Sequence, residues 1–382
     1  MKQIQIFAGI LILVFSFLGC KQNVEKVSVV EPLVADADFT ITKPAEVGLN
    51  PQVISELIDS IQTGNYPNRH SLLIYKDDKL VVEEYFSGKD ENWGDDLGIV
   101  SYNDSLLHDM RSVSKSIVSA CIGIAIAQGK IKSVDQPIFD FFEDYQQFNS
   151  EGREDLTIKH LLTMTSGLKW NEDIPYDNPE NSEIQMSNSD DGIGFVLSRE
   201  MVEKPGTVWQ YNGGTTELLA EIIHRVSGQN VHEFAKEYLF QPLGISKSEW
   251  TVSPATGTPA AASGLRLSSR DMLKFGILYL QEGKWNGEQI VPAEWVTESL
   301  KSSISRPDEG GYGYQFWVID YSSGSGPLII PAAVGNGDQR IFYDLKNKML
   351  IVTTAGNYNQ WDIENNASAI LLKVYSSFTS NE

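Results

Sequence analysis

The stretch HDMRSVSKSIVSACIGIAIAQGK, His108–Lys130, decides the fold. A surface helix shows one apolar stripe. Here Ile117, Val118, Ala120, Ile122, Ile124, Ala125, Ile126 and Ala127 leave almost no polar face before Gly129. A helix apolar all round belongs in the middle of a domain. Ser112 and Lys115 then stand at its first turn, on one face and about one turn apart. A buried lysine is costly unless it is paired or used, so the rest of the chain has to supply its use.

At 382 residues and 41% hydrophobic, the chain can bury a sizeable core, as one large two-part fold or two domains. A net charge of −21 argues against nucleic acid, which needs a basic footprint, and against electrostatic adsorption to anionic lipid. The first residues, MKQIQIFAGILILVFSFLGC, hold Lys2, an apolar run from Ile6 to Leu18, and Gly19-Cys20. That run is too short to span a bilayer comfortably and fits a secretory h-region. It resembles a bacterial lipoprotein signal, with an ordinary signal peptide as the other reading. The expectation is a signal peptide over 1–19, lipidation at Cys20, a tether over 20–45, and an exported protein, periplasmic or anchored at the outer membrane. Contact with the membrane would run only through that anchor. Cys121 lies inside the apolar helix and reads as a small core hydrophobe.

The remaining chain, 46–382, reads as one domain. Asn50-Pro51 opens a helix that Gly64 stops. HSLLIYKDDKLVVEEYFSG is a hairpin turning at Asp77-Asp78. From about 111 to 309 the segments are mostly helical, and strands return beyond 310 before a closing helix. The order predicts an α/β (α+β) fold. Its mainly antiparallel sheet comes from both chain ends, about 46–110 and 310–382, with a mostly helical region inserted.

Ser-x-x-Lys occurs twice. Ser166–Lys169 falls in a loop that would leave its lysine in water, and it carries no role. Ser112–Lys115 has a helix N-terminus, which favours developing negative charge. Desolvation there would lower the pKa of Lys115 and let it share the proton of the serine. The same pair also fits a helix-capping serine with a snorkelling lysine. Tyr211, in KPGTVWQYNGG, sits at a corner leading into a helix and suits a base, or a core-edge aromatic. In AAVGNGDQRIFY, Gly335 and Gly337 allow close approach of backbone to a ligand, or form a plain β-turn. A backbone N–H from Gly337 to Gln339, with that of Ser112, would make an oxyanion hole. Trp170, Trp209, Tyr312, Tyr314 and Trp317 are candidates for an acyl pocket. The histidines show no metal motif, and no nucleotide-binding fingerprint occurs, so no metal or cofactor is expected.

Taken in this order over about residues 45–375, these segments resemble one serine hydrolase family. It contains class C β-lactamases, serine D-alanyl-D-alanine peptidases, lactamase-like esterases and 6-aminohexanoate-dimer hydrolases. The resemblance implies a β-lactamase/transpeptidase-like fold, with Ser112 as nucleophile, Lys115 as its proton-sharing partner and Tyr211 as general base. Two departures stand out. The family's Tyr-x-Asn is Tyr211-Asn212-Gly213 here, and the Lys or His that leads its third motif is Asn336, followed by Gly337 and Asp338. Both fall on substrate recognition, for which Asn212, Asn336, Gly337, Asp338, Gln339 and Trp170 are the candidates. The resemblance favours an esterase or amidase acting on a small ester, amide or peptide. The alternatives are a β-lactamase or D-alanyl-D-alanine carboxypeptidase, and a non-catalytic binding lipoprotein.

Overall fold

A computed structural model describes residues 38–379 except 254, 309, 324 and 325. The expected signal peptide, Cys20 and most of the expected tether lie outside the described residues.

Helix α1 (Pro51–Gln62) starts as predicted, with the Asn50 side chain accepting from Gln52 N. Strands β1 (Arg69–Lys76) and β2 (Lys79–Tyr85) form the hairpin. Asp77 and Asp78 turn it with φ of 50° and 60°, the left-handed pair that suits strand twist. Helix α2 (Val113–Ala127) is buried at every residue from Val113 to Ala125, as its unbroken apolar surface requires. Two further helices matter for the site, α3 (Gly213–Ser227) and α4 (Ser269–Leu280).

The sheet resumes with β3 (Ile304–Ser305), β4 (Gly311–Tyr312), β5 (Trp317–Asp320), β6 (Ile329–Gly335), β7 (Gln339–Asp344) and β8 (Met349–Ala355). Helix α5 (Ala367–Tyr375) follows. The strand order is β3-β4-β5-β6-β7-β8-β1-β2, and every pair is antiparallel. The chain ends therefore meet where β8 pairs with β1, Ile74 opposite Ile351. All eight residues of β1 are buried, so both sheet faces are covered. On one face Leu73, Ile341 and Leu350 pack with α2 and α4. On the other Leu72, Ile74 and Ile351 pack with α1 and α5. No helix among the described residues is long and apolar enough to cross a membrane.

Two pieces escape the sequence reading. Ser87–Asn92 pairs with Asp95–Ser101 in a separate hairpin, where charged residues mask the alternation. His108–Asp109, just before the mostly helical region, forms a small sheet with Leu265–Leu267 and Glu249–Trp250 inside it, and these strands are too short to show a period.

Candidate active site

Ser112 is set by the chain that precedes it. His108–Asp109 is pinned to Leu267 and Arg266, and Arg111 then takes a φ of 48°, strained for a side chain of its size. The Arg111 guanidinium is held by Glu91 and Asp109 and lies over the rings of Trp93 and Tyr358, 5.1 and 4.6 Å from their centres. Ser112 follows as the N-cap residue of α2, but its side chain makes no capping hydrogen bond. The hydroxyl is left to Lys115, whose Nζ donates to Ser112 Oγ at 3.1 Å and to the Ala262 carbonyl at 3.0 Å. Lys115 is 1% exposed, so the snorkelling reading fails.

Tyr211 reaches the same place from α3. Gln210 N donates to the Met164 carbonyl, and Asn212 caps α3 by accepting from Thr215 N. Between these anchors the Tyr211 ring lies with its centre 4.9 Å from Lys115 Nζ, against Trp317. The third segment closes the site. Gly337 and Asp338 have φ of 85° and 76°, turning β6 into β7. The Asn336 amide donates to Asn359 Oδ1 at 2.7 Å, and the Asp338 carboxylate holds Arg69 and the Ala367 N–H of α5.

A cleft of about 390 Å³ opens above the serine. Ser112, Tyr211, Asn336, Gly337 and Asp338 line it, with Trp209, Trp317, Tyr176 and Trp361 as aromatic walls. Three expected substrate contacts are placed elsewhere. Trp170 is buried against Gly214 and Phe195, and its indole N–H serves Glu172. Asn212 is buried and turns its Oδ1 to the helix cap. The Gln339 side chain staples the turn, donating to the carbonyls of Asn336 and Ala355 and accepting from Ala355 N. Tyr312 and Tyr314 are core residues. The second Ser-x-x-Lys lies apart as read, with Lys169 exposed and paired to Glu200.

The electrostatics overturn one expectation. Burial pushes the Lys115 pKa down, while Tyr211, Glu183 and Glu172 pull it up wherever each is ionised, and the balance lies above the ordinary value. That balance favours the ammonium over the near-neutral amine that desolvation alone predicts. Burial raises the Tyr211 phenol, which Lys115 only partly offsets. Glu172, Glu183 and Glu217 are the carboxyls that sequence reasoning missed. They are spread over 46 positions with no motif; the glycine of Tyr211-Asn212-Gly213 was the one hint. Glu217 accepts from Ala262 N, and burial pushes it up to about 7.

One cluster has metal-ligand chemistry: donor atoms of His70, Asp90 and His108 lie within 4.8 Å of one another. Its contacts are those of a hydrogen-bonded relay. His70 Nδ1 and His108 Nε2 are 2.8 Å apart, His108 Nδ1 meets the Asp109 carbonyl, and Tyr102 and Tyr358 both donate to Asp90. The relay lies beside His108–Asp109, the strand that leads to Arg111 and Ser112.

Comparison with known proteins agrees with this geometry. The chain is 26% identical over 271 residues to the 6-aminohexanoate-dimer hydrolase of Paenarthrobacter ureafaciens, covering 64% of this chain and 65% of that protein. It is 28% identical over 213 residues to the lovastatin esterase of Penicillium rubens, covering 51% and 47%. The chain thus spans less than two thirds of the length of either relative. Among solved structures, a candidate 6-aminohexanoate-dimer hydrolase of Bacillus anthracis superposes with a TM-score of 0.69 at 22% identity, over 89% of this chain and 86% of that one, a likeness of fold. The model of the β-lactamase family matches residues 70–374, which include Ser112, Lys115, Tyr211 and the Asn336–Asp338 turn. With fold and sequence in agreement, the chain belongs to the β-lactamase family.

Proposed function

We propose that this protein is a serine hydrolase that cleaves an ester or amide bond through an acyl-Ser112 intermediate. The observation that carries the reading is the Ser112 hydroxyl, not used to cap its helix and 3.1 Å from the buried Lys115 Nζ at the floor of an aromatic cleft. Ser112 Oγ attacks the carbonyl carbon, and its proton passes to the Tyr211 phenolate, with Lys115 holding the pair as a fixed positive charge. The carbonyl oxygen becomes an oxyanion, met by the backbone N–H groups of Ser112 and of the turn from Gly337 to Gln339. The leaving group departs with the proton from Tyr211, and water then repeats the cycle on the acyl-enzyme.

A small ester or amide with an apolar acyl group suits the cleft better than a β-lactam or a cell-wall peptide. Asn336 offers no cation for a substrate carboxylate, and its amide is engaged by Asn359. Arg340 also lines the cleft, but it is occupied by the carbonyls of Gly335 and Gln339. Export and lipid anchoring at Cys20 belong to the same proposal, and labelling with a fatty acid that Cys20→Ser abolishes would support them.

The test is intact-protein mass spectrometry after exposure to a fluorophosphonate. One adduct, lost in Ser112→Ala, supports the acyl-serine reading. No adduct on folded protein would favour a binding lipoprotein instead.

A further inference from the structure

Gly213 stands where Tyr-x-Asn has its asparagine, and what fills the space is informative. A Cβ on Gly213 would lie 2.9 Å from Glu183 Oε2 and 3.2 Å from Glu172 Oε2. Two carboxyls from a distant loop and a short helix, Ser182–Ser187, converge on that point. The φ of Gly213 lies outside the left-handed region, so its backbone does not demand glycine. The room is for the acids.

The two acids are not equivalent. Glu172 Oε2 accepts from Gly213 N at 2.7 Å and Trp170 Nε1 at 2.8 Å, while Oε1 accepts from the Tyr176 hydroxyl at 3.0 Å. Three donors favour the carboxylate form. Glu183 accepts from Ser263 Oγ at 3.1 Å and is hydrogen-bonded to Glu172. Two buried carboxyls in contact cannot both ionise, so Glu183 carries the proton between them. The charged and titratable groups facing the pair are Lys115 from α2, Glu217 from α3, Tyr211, Tyr176 and, from β4, Tyr312.

We propose that Glu172 and Glu183 are positioning residues of the hydrolytic site: a carboxylate–acid pair in the room left by Gly213, doing there what the motif's asparagine amide would do. This rests on the acyl-serine reading above. Through the Gly213 N–H, Glu172 fixes the corner that bears Tyr211. Its single negative charge holds Lys115 as the ammonium that orients Ser112 Oγ. Glu183 supplies the proton that keeps the pair at one charge rather than two.

The experiment is hydrolysis of p-nitrophenyl acetate across pH by the wild type, Glu172→Gln combined with Glu183→Gln, Glu183→Ala, and Glu183→Ala combined with Gly213→Asn. In Glu172→Gln alone Glu183 is relieved of its charged neighbour and ionises in its place, so Glu183→Gln is added to remove the charge of the pair, which lowers the pKa of both Lys115 and Tyr211. Both limbs of the kcat/KM profile should then move to lower pH by about one unit, with a loss of about tenfold or more at the optimum. A purely structural role would lower stability and leave both limbs in place. Glu183→Ala should lose activity, and Gly213→Asn in that background should recover about tenfold, its amide entering the vacated room. If Glu172→Gln with Glu183→Gln fails to fold, this rescue decides alone. Limbs that stay put, or a rescue that fails on folded protein, overturn the inference while the hydrolytic reading stands. A wild type inert to both ester and fluorophosphonate overturns the hydrolytic reading, and this one with it.

Discussion

Gly335 rests against the carbonyl of Met110 so closely that a Cβ on the glycine would stand 2.3 Å from the oxygen. This contact joins the end of β6 to the segment that delivers Ser112, and so sets the turn after β6 relative to the Ser112 hydroxyl. Gly335→Ala forces one backbone away from the other. The expected cost is about 1–3 kcal/mol of stability, with a larger fractional fall in kcat. Chemical denaturation beside p-nitrophenyl ester kinetics measures both. Unchanged kinetics in a destabilised variant would mean that the contact is structural only.

The raised phenol of Tyr211 has a direct kinetic consequence. Burial is the main cause, and Glu172 adds to it against the pull of Lys115. The base form is then scarce at neutral pH, and kcat/KM should climb roughly tenfold per pH unit on its acid side toward an alkaline optimum. Tyr211→Phe keeps the ring against Trp317 and should lose about 10²–10⁴-fold. A profile flat from pH 6 to 9, or a Phe variant within a few-fold of wild type, would remove Tyr211 from the role of base.

What the sequence made legible here was local or motif-bound. The buried helix followed from its unbroken apolar run, the Asp77-Asp78 hairpin from turn chemistry, and the α1 cap from Asn50-Pro51. Ser112, Lys115 and Tyr211 could be named because each sits in a short pattern. The carboxyls around Lys115 could not, since Glu172, Glu183 and Glu217 share no period, and the pKa of Lys115 was misjudged for that reason. Likewise His70 and His108 are 38 residues apart, and Arg69 and Asp338 are 269 apart. Trp170 shows the converse error: an aromatic near a motif was read as a pocket wall and is core.

The relay behind Ser112 should make the protein sensitive to acid. Burial chiefly, with the neighbouring His108, lowers the His70 pKa to about 3. His70 is therefore neutral when folded and protonates more readily when unfolded. Its contribution to stability is present above the ordinary histidine pKa of about 6.5 and is lost as pH falls from there toward 3. His70→Asn should flatten the slope of stability against pH in that window, read by thermal melts at pH 7, 5.5 and 4. An unaltered slope would place the acid sensitivity elsewhere.

Arg69 and Asp338 make the last link testable. The Arg69 side chain is fully buried and donates to the Asp338 carboxylate, the Asp338 carbonyl and Thr353 Oγ1. It thereby ties the Asn336–Asp338 turn to β1 and β8. Removing one partner of a buried pair leaves the other charge uncompensated, which costs about 3–5 kcal/mol. Arg340, 3.4 Å from the other Asp338 oxygen, and the Ala367 N–H soften that penalty. Arg69→Met is thus expected at the low end, about 3 kcal/mol, with kcat falling because the turn loses its anchor. Adding Asp338→Leu removes the stranded charge and should recover part of the stability. It should not recover the rate, since the cap on α5 and the shape of the turn go with the carboxylate. A double variant that regains both would show that Asp338 serves only to neutralise Arg69.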